Sequence, residues 1–172
     1  MTIMKAIKNL CPFLLFFSLI AFNLQVANAQ KTKTAKTEII KNLIDSQRYV
    51  FHAQYVMPAN GSQRFLTSDY LVTVLKDSVI SDLPFFGRAY SAPMNPTDGG
   101  IKFTSTNFRY KLENKKKGGW DIIIKPKDAP DVQQFALSVF ENGNASLQVI
   151  SINRQPISFN GYVEGIKKNK AD

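Results

Sequence analysis

Cysteine is all but missing from this 172-residue chain, and the single one, Cys11, sits among the first residues. That excludes a disulfide framework, a cysteine-ligated metal and, beyond position 11, a thiolate nucleophile. Histidine is as scarce: His52 stands alone, so no histidine cluster has the spacing of a transition-metal site. No G-x-S-x-G elbow marks a serine nucleophile, and Gly99-Gly100 lacks the lysine and the strand-to-helix setting of a phosphate loop. Carboxylates number 13 against 22 lysines and arginines, and nothing in their spacing argues for a paired acid and base. These absences point away from an enzyme, and no cofactor or metal is expected.

A long hydrophobic run is also missing. The apolar stretch from Pro12 to Phe22 falls short of the roughly 20 residues a membrane-spanning helix needs. Lys5 and Lys8 precede it, and Ala27-Asn28-Ala29 places small residues before Gln30, which is the pattern of a secretory signal peptide cut after Ala29. Cys11 comes before the apolar run, where a lipoprotein cysteine does not belong. The mature chain, free of thiols in an oxidising compartment, must draw its stability from a core. It is expected to be periplasmic or outer-membrane-associated and soluble after cleavage. The formal charge is +9. For an exported chain the relevant polyanions are lipid headgroups and acidic polysaccharide rather than nucleic acid, although excess lysine also keeps an all-β surface soluble.

Residues 30–36 read as a mobile basic leader and 37–172 as a single domain. Thr37 suits a helix N-cap, and Ile39, Ile40, Leu43 and Ile44 recur at helical spacing up to Gln47. From Tyr49 the period is two. Tyr49, Phe51, Ala53 and Tyr55 share one face, with His52 and Gln54 on the other. Tyr70, Val72 and Val74 alternate with Leu71, Thr73 and Leu75 as in a strand buried on both sides. Alternation recurs through Phe108–Glu113, Trp120–Ile124, Phe135–Val139, Leu147–Val149 and Ile157–Val163. Asp77-Ser78, Lys115–Gly119 and Asn142-Gly143 supply turns, the last with the chemistry of a type I′ hairpin. The expected fold is all-β: an antiparallel meander forming a lipocalin-like barrel or half-barrel with a short N-terminal helix, a β-sandwich being the alternative.

Leu83 to Phe103 interrupts this rhythm with aromatics, prolines and glycines, and loops of that length usually carry function or mobility. Its Leu83–Pro93 stretch (LPFFGRAYSAP) and Gly99–Phe103, with the Asn153-Arg154-Gln155 corner and the Ile157–Gly161 ending, resemble a secreted Bacteroidetes family known as domain of unknown function 4251. The resemblance spans nearly the whole mature chain. It implies an exported all-β, lipocalin-like barrel or half-barrel and no particular activity.

Phe85, Phe86, Arg88 and Tyr90 offer rings and a guanidinium on a shaped loop, and are the candidate ligand-binding residues for a small amphipathic or acidic molecule. Alternatively, Phe85 and Phe86 plug the barrel while Arg88 caps backbone carbonyls. A second candidate surface gathers Arg109, Lys111, Lys115, Lys116, Lys117, Lys125 and Lys127 on one hairpin for anionic lipid or polysaccharide, or simply as a solvated edge. Ser78, in Asp77-Ser78-Val79, matches a short O-glycosylation acceptor. Asn60-Gly61-Ser62 and Asn144-Ala145-Ser146 match the N-glycosylation sequon. The chain therefore reads as a non-enzymatic binder of a small amphipathic or anionic ligand. The alternative is a structural or protein-interaction module of the cell envelope.

Overall fold

Alternating apolar residues build nine strands, described here from a computed structural model. They are β1 (Tyr49–Pro58), β2 (Arg64–Val74), β3 (Val79–Leu83), β4 (Ile101–Ser105), β5 (Phe108–Asn114), β6 (Trp120–Pro126), β7 (Val132–Val139), β8 (Asn144–Ser151) and β9 (Ile157–Gly165). The structure describes residues 34–90 and 99–166. The expected signal segment and most of the leader, together with Ser91-Ala92-Pro93 of the loop motif, lie outside the described residues. Contacts divide the chain into two units, Met1–Glu38 and Ile39–Asp172, and the second holds the whole sheet.

The sheet is antiparallel with the order β4-β3-β2-β1-β9-β8-β7-β6-β5. That is the expected meander, with its first and last strands joined at the centre. Its outer strands are linked by two residues, Thr106-Asn107. Because every pairing is antiparallel, β4 and β5 run in the same direction. They are two halves of one kinked strand, the first pairing with β3 and the second with β6. Through it the sheet returns nearly upon itself as a barrel.

Asp128 holds the kink. Its carboxylate accepts hydrogen bonds from the Ser105 hydroxyl, from the Thr106 N–H at 2.9 Å and from the Asn107 N–H at 3.1 Å. The Ser105 bond first, and then the backbone donors, hold this carboxyl below the usual aspartate range. A carboxyl depressed in the folded state contributes stability above its unfolded value, near pH 4, and that stability is lost as pH falls through the folded value. Thermal melts between pH 7 and pH 2 should show an acid limb that Asp128→Asn flattens, the variant already being less stable at neutral pH. An unchanged acid limb would remove Asp128 as its source.

One face of every strand points inward. Tyr49, Phe51, Phe135 and Phe159 are the largest fully buried side chains, joined by Leu83, Ile122, Ile124 and Leu147. Phe103 meets Phe135 with ring centroids 5.5 Å apart. From opposite walls, the Tyr49 and Tyr110 hydroxyls approach to 3.3 Å, and burial pushes the Tyr49 hydroxyl well above its ordinary pKa. Side chains thus span the interior.

The helix, α1, covers 34–46 among the described residues, so Thr37, expected from sequence as its cap, lies inside it. Ile40 and Ile44 are buried, and Ile40 and Leu43 lie against Gly143 and Gly165 at the end of the barrel where β1 starts. The helix ends in a Schellman turn. The Arg48 N–H bonds the Leu43 carbonyl at 3.2 Å and the Gln47 N–H bonds the Ile44 carbonyl at 3.1 Å. Gln47 sits there at φ 51°, the only positive-φ non-glycine among the described residues. Gln47→Gly should therefore stabilise the protein by about 0.5 kcal/mol, since relief of the left-handed strain is partly offset by a freer unfolded chain. A urea midpoint that falls instead would show the Gln47 side chain contributing more than its backbone costs.

The β7–β8 hairpin departs from the type I′ expectation. Only Gly143 has positive φ, at 84°. The Gly143 N–H bonds the Phe140 carbonyl at 2.9 Å, and the Asn142 side chain accepts from the Asn144 N–H at 3.0 Å. An Asn side chain that satisfies the backbone locally lets Asn142 remain at negative φ, and Gly143 alone supplies the left-handed step.

Candidate functional site

Straight alternation would bury Tyr55 beside Ala53. Instead Gln54 and Tyr55 are both exposed, because β1 carries an irregularity at Gln54. Against β9, Ala53 pairs with Gly161 and Tyr55 with Asn160, which leaves Gln54 as an extra residue. Against β2, Ala53 pairs with Tyr70 and Tyr55 with Phe65, so Leu66–Asp69 all lie opposite Gln54. Such bulges flip which side of the strand faces out and bend the sheet. Gly161 permits it: a Cβ there would lie 1.8 Å from the His52 carbonyl oxygen.

Two recesses flank Gln54 on the outer wall. The first, about 220 Å³, is lined by His52, Thr67, Ser68, Asp69 and Tyr162. The His52 ring stacks on Tyr162 with centroids 4.9 Å apart and planes within 3°. Its Nε2 lies 2.9 Å from Glu164 Oε1, so the imidazole is held in plane by one neighbour and in rotation by the other. The second recess, about 310 Å³, is lined by Tyr55, Phe140, Asn144, Ser146 and Asn160. Tyr55, turned outward by the bulge, packs edge-on against Phe65 at 5.4 Å. Phe140 is 48% exposed and Phe65 62%, large apolar areas left to solvent beside neutral amides.

Sequence placed His52 correctly on the polar face but did not find this wall. The legible signal was Gly161, a lone glycine inside a strand, which marks a bulge or a close backbone approach.

The loop residues singled out from sequence take separate positions. Phe85 is half-buried and packs against the core. Arg154, not Arg88, is the arginine that caps this end of the barrel: its guanidinium lies 5.2 Å from the Phe85 ring centroid, and its Nε is 2.8 Å from Asp131. It also donates to the Gly100 carbonyl at 2.9 Å and the Gly99 carbonyl at 3.3 Å. Phe86 is exposed under the Arg64 guanidinium, 5.8 Å away. Arg88 and Tyr90 are exposed, and their backbones bridge to Gln155 and Asn153. The crevice beside Arg154, about 140 Å³, is well under the usual size of a ligand pocket.

On the basic hairpin, ion pairs occupy some of the cations. Lys111 pairs with Glu113 at 2.5 Å, and Lys115 pairs with Asp121 at 3.0 Å while also lying over Phe140. Burial raises the Asp121 carboxyl, but the Ser138 hydroxyl and Lys115 outweigh it and hold it below the usual range. Arg109 and Lys125 face each other directly across β5 and β6, and Lys116, Lys117 and Lys127 are exposed. The Ser78 hydroxyl is half-buried and bonded to Asp77 at 3.1 Å.

The crystal structure of a DUF4251 family protein from Bacteroides eggerthii shares this fold. It matches with a TM-score of 0.58 at 19% identity, over 76% of this chain and 88% of that one. No curated protein matches the chain. A family model described as a domain of unknown function, DUF4251, matches residues 31–163, with the barrel and the bulged wall almost entirely inside that span: the chain belongs to the DUF4251 family.

Proposed function

We propose that the protein is an exported, non-enzymatic binding module of the cell envelope that engages its ligand on the outer wall of the barrel. The observation that carries this reading is the bulge at Gln54. It leaves two recesses with exposed rings and polar side chains on the wall, while Tyr49, Phe51, Phe135 and Phe159 occupy the interior. A carrier of the lipocalin kind would need that interior for cargo. The Phe85–Tyr90 loop supports ligand binding less well, since Phe85 and Arg154 are engaged in closing the barrel end.

Hydrogen–deuterium exchange of the mature protein, with and without a soluble extract of its own envelope, tests this. Protection confined to 52–55, 65–70, 140–146 and 158–162 is expected. Protection centred on 84–90 would move the site to the loop, and an unchanged exchange pattern would end the binding reading.

A further inference from the structure

We propose that the recesses on either side of Gln54 are adjoining subsites for a neutral oligosaccharide. The proposal rests on the outer-wall reading and gives its ligand a chemical class.

Charge provides the first argument. On a chain with 22 lysines and arginines, the larger recess is lined by no ionised residue: its polar groups are the amides of Gln54, Asn144 and Asn160 and the hydroxyls of Ser146 and Tyr55. Lys115, which lies above Phe140, is paired with Asp121. An anionic headgroup would find no counter-charge among these side chains, and ionic ligands are recognised by charged donors. An amide carries a donor and an acceptor side by side, which matches neighbouring hydroxyls that both give and take hydrogen bonds.

Shape provides the second. At about 310 and 220 Å³ the recesses lie at or below the lower end for drug-sized ligands, so each admits a ring-sized unit. Gln54 lines both, which places the units in sequence along one chain. Aromatic faces and edges at Tyr55, Phe65 and Phe140 offer apolar surface for the C–H side of such rings, as amphipathic rings commonly do where one side of a contact is wet. In the smaller recess, His52 is fixed by Tyr162 and Glu164, so its position is set before the ligand arrives.

The test is calorimetric titration of the mature protein with cellohexaose, maltohexaose, xylohexaose, mannohexaose and chitohexaose, with oligogalacturonate as the acidic probe. Saturable binding of at least one neutral hexamer, insensitive to added salt, is expected. Gln54→Ala and Asn160→Ala should each weaken it about tenfold through one lost hydrogen-bonding group, with melting temperatures near wild type. Binding of oligogalacturonate alone, binding unaltered in both variants, or no binding of any neutral hexamer would overturn the proposal. Failure here with exchange protection still on the wall would reject the saccharide alone. Failure with no protection anywhere would reject the outer-wall reading as well.

Discussion

Gly161→Ala is expected to cost about 3 kcal/mol or more, lowering the melting temperature by roughly 10 °C in a chain of this size. The added methyl would lie 1.8 Å from the His52 carbonyl oxygen, 2.9 Å from the carbonyl carbon and 3.2 Å from the Ala53 Cα. All three are backbone atoms of a central strand, so no side-chain rotation relieves the contact. The strand must move, and β1 is paired on both sides. Ala53→Gly offers a comparison of another kind. Ala53 is buried beside the bulge, so its loss removes a methyl and adds no atom to the close approach, and it should cost nearer 1 kcal/mol. Equal losses in the two variants, measured by chemical denaturation, would show that β9 yields at Gly161 and that the close approach is incidental.

Removing the Arg154 guanidinium should be nearly as damaging. Its side chain is 12% exposed and bonded to Asp131 and to two backbone carbonyls, with Phe85 beneath it. Arg154→Met keeps the length of the side chain while leaving the half-buried Asp131 carboxylate and the Gly100 carbonyl short of a donor. Breaking one partner of such a pair costs about 3 kcal/mol. Arg154→Lys keeps the charge but cannot reach Asp131 and the glycine carbonyls together, because an ammonium is a point donor and a guanidinium a planar fork. It should therefore recover well under half of the loss. A lysine variant as stable as wild type would reduce Arg154 to a simple surface charge.

These two positions also show where the sequence could be read and where it could not. Alternation through Tyr49, Phe51 and Ala53, and again through Ile122, Ile124, Phe135 and Leu147, identified an antiparallel meander, because burial on one face leaves a period of two in the chain. The same count failed at Tyr55, since it has no way to register an extra residue. A bulge reverses inside and outside from that point onward. Arg88 and Arg154 were both visible as residues of the family pattern. What distinguishes them is Asp131 and the carbonyls of Gly99 and Gly100, partners supplied by distant segments of the chain. The lysine hairpin misled in a similar way. Its charge was countable from composition, but the strand pairing that brings Lys115 to Asp121 belongs to the folded hairpin.

The pairing of β1 with β9 bears on the order of events in synthesis. Tyr49 meets Gly165, and Pro58 meets Ile157, so the seam joins nearly the first and last residues of the sheet. Such distant pairing is entropically demanding and slow to form. Until Ile157–Gly165 has left the ribosome, β1 lacks one neighbour and the barrel has no way to close. The same arrangement places the entrance of β1 and the exit of β9 side by side, so a short linker between them, with new termini opened at Asp77-Ser78, should yield a circular permutant that preserves every strand pairing.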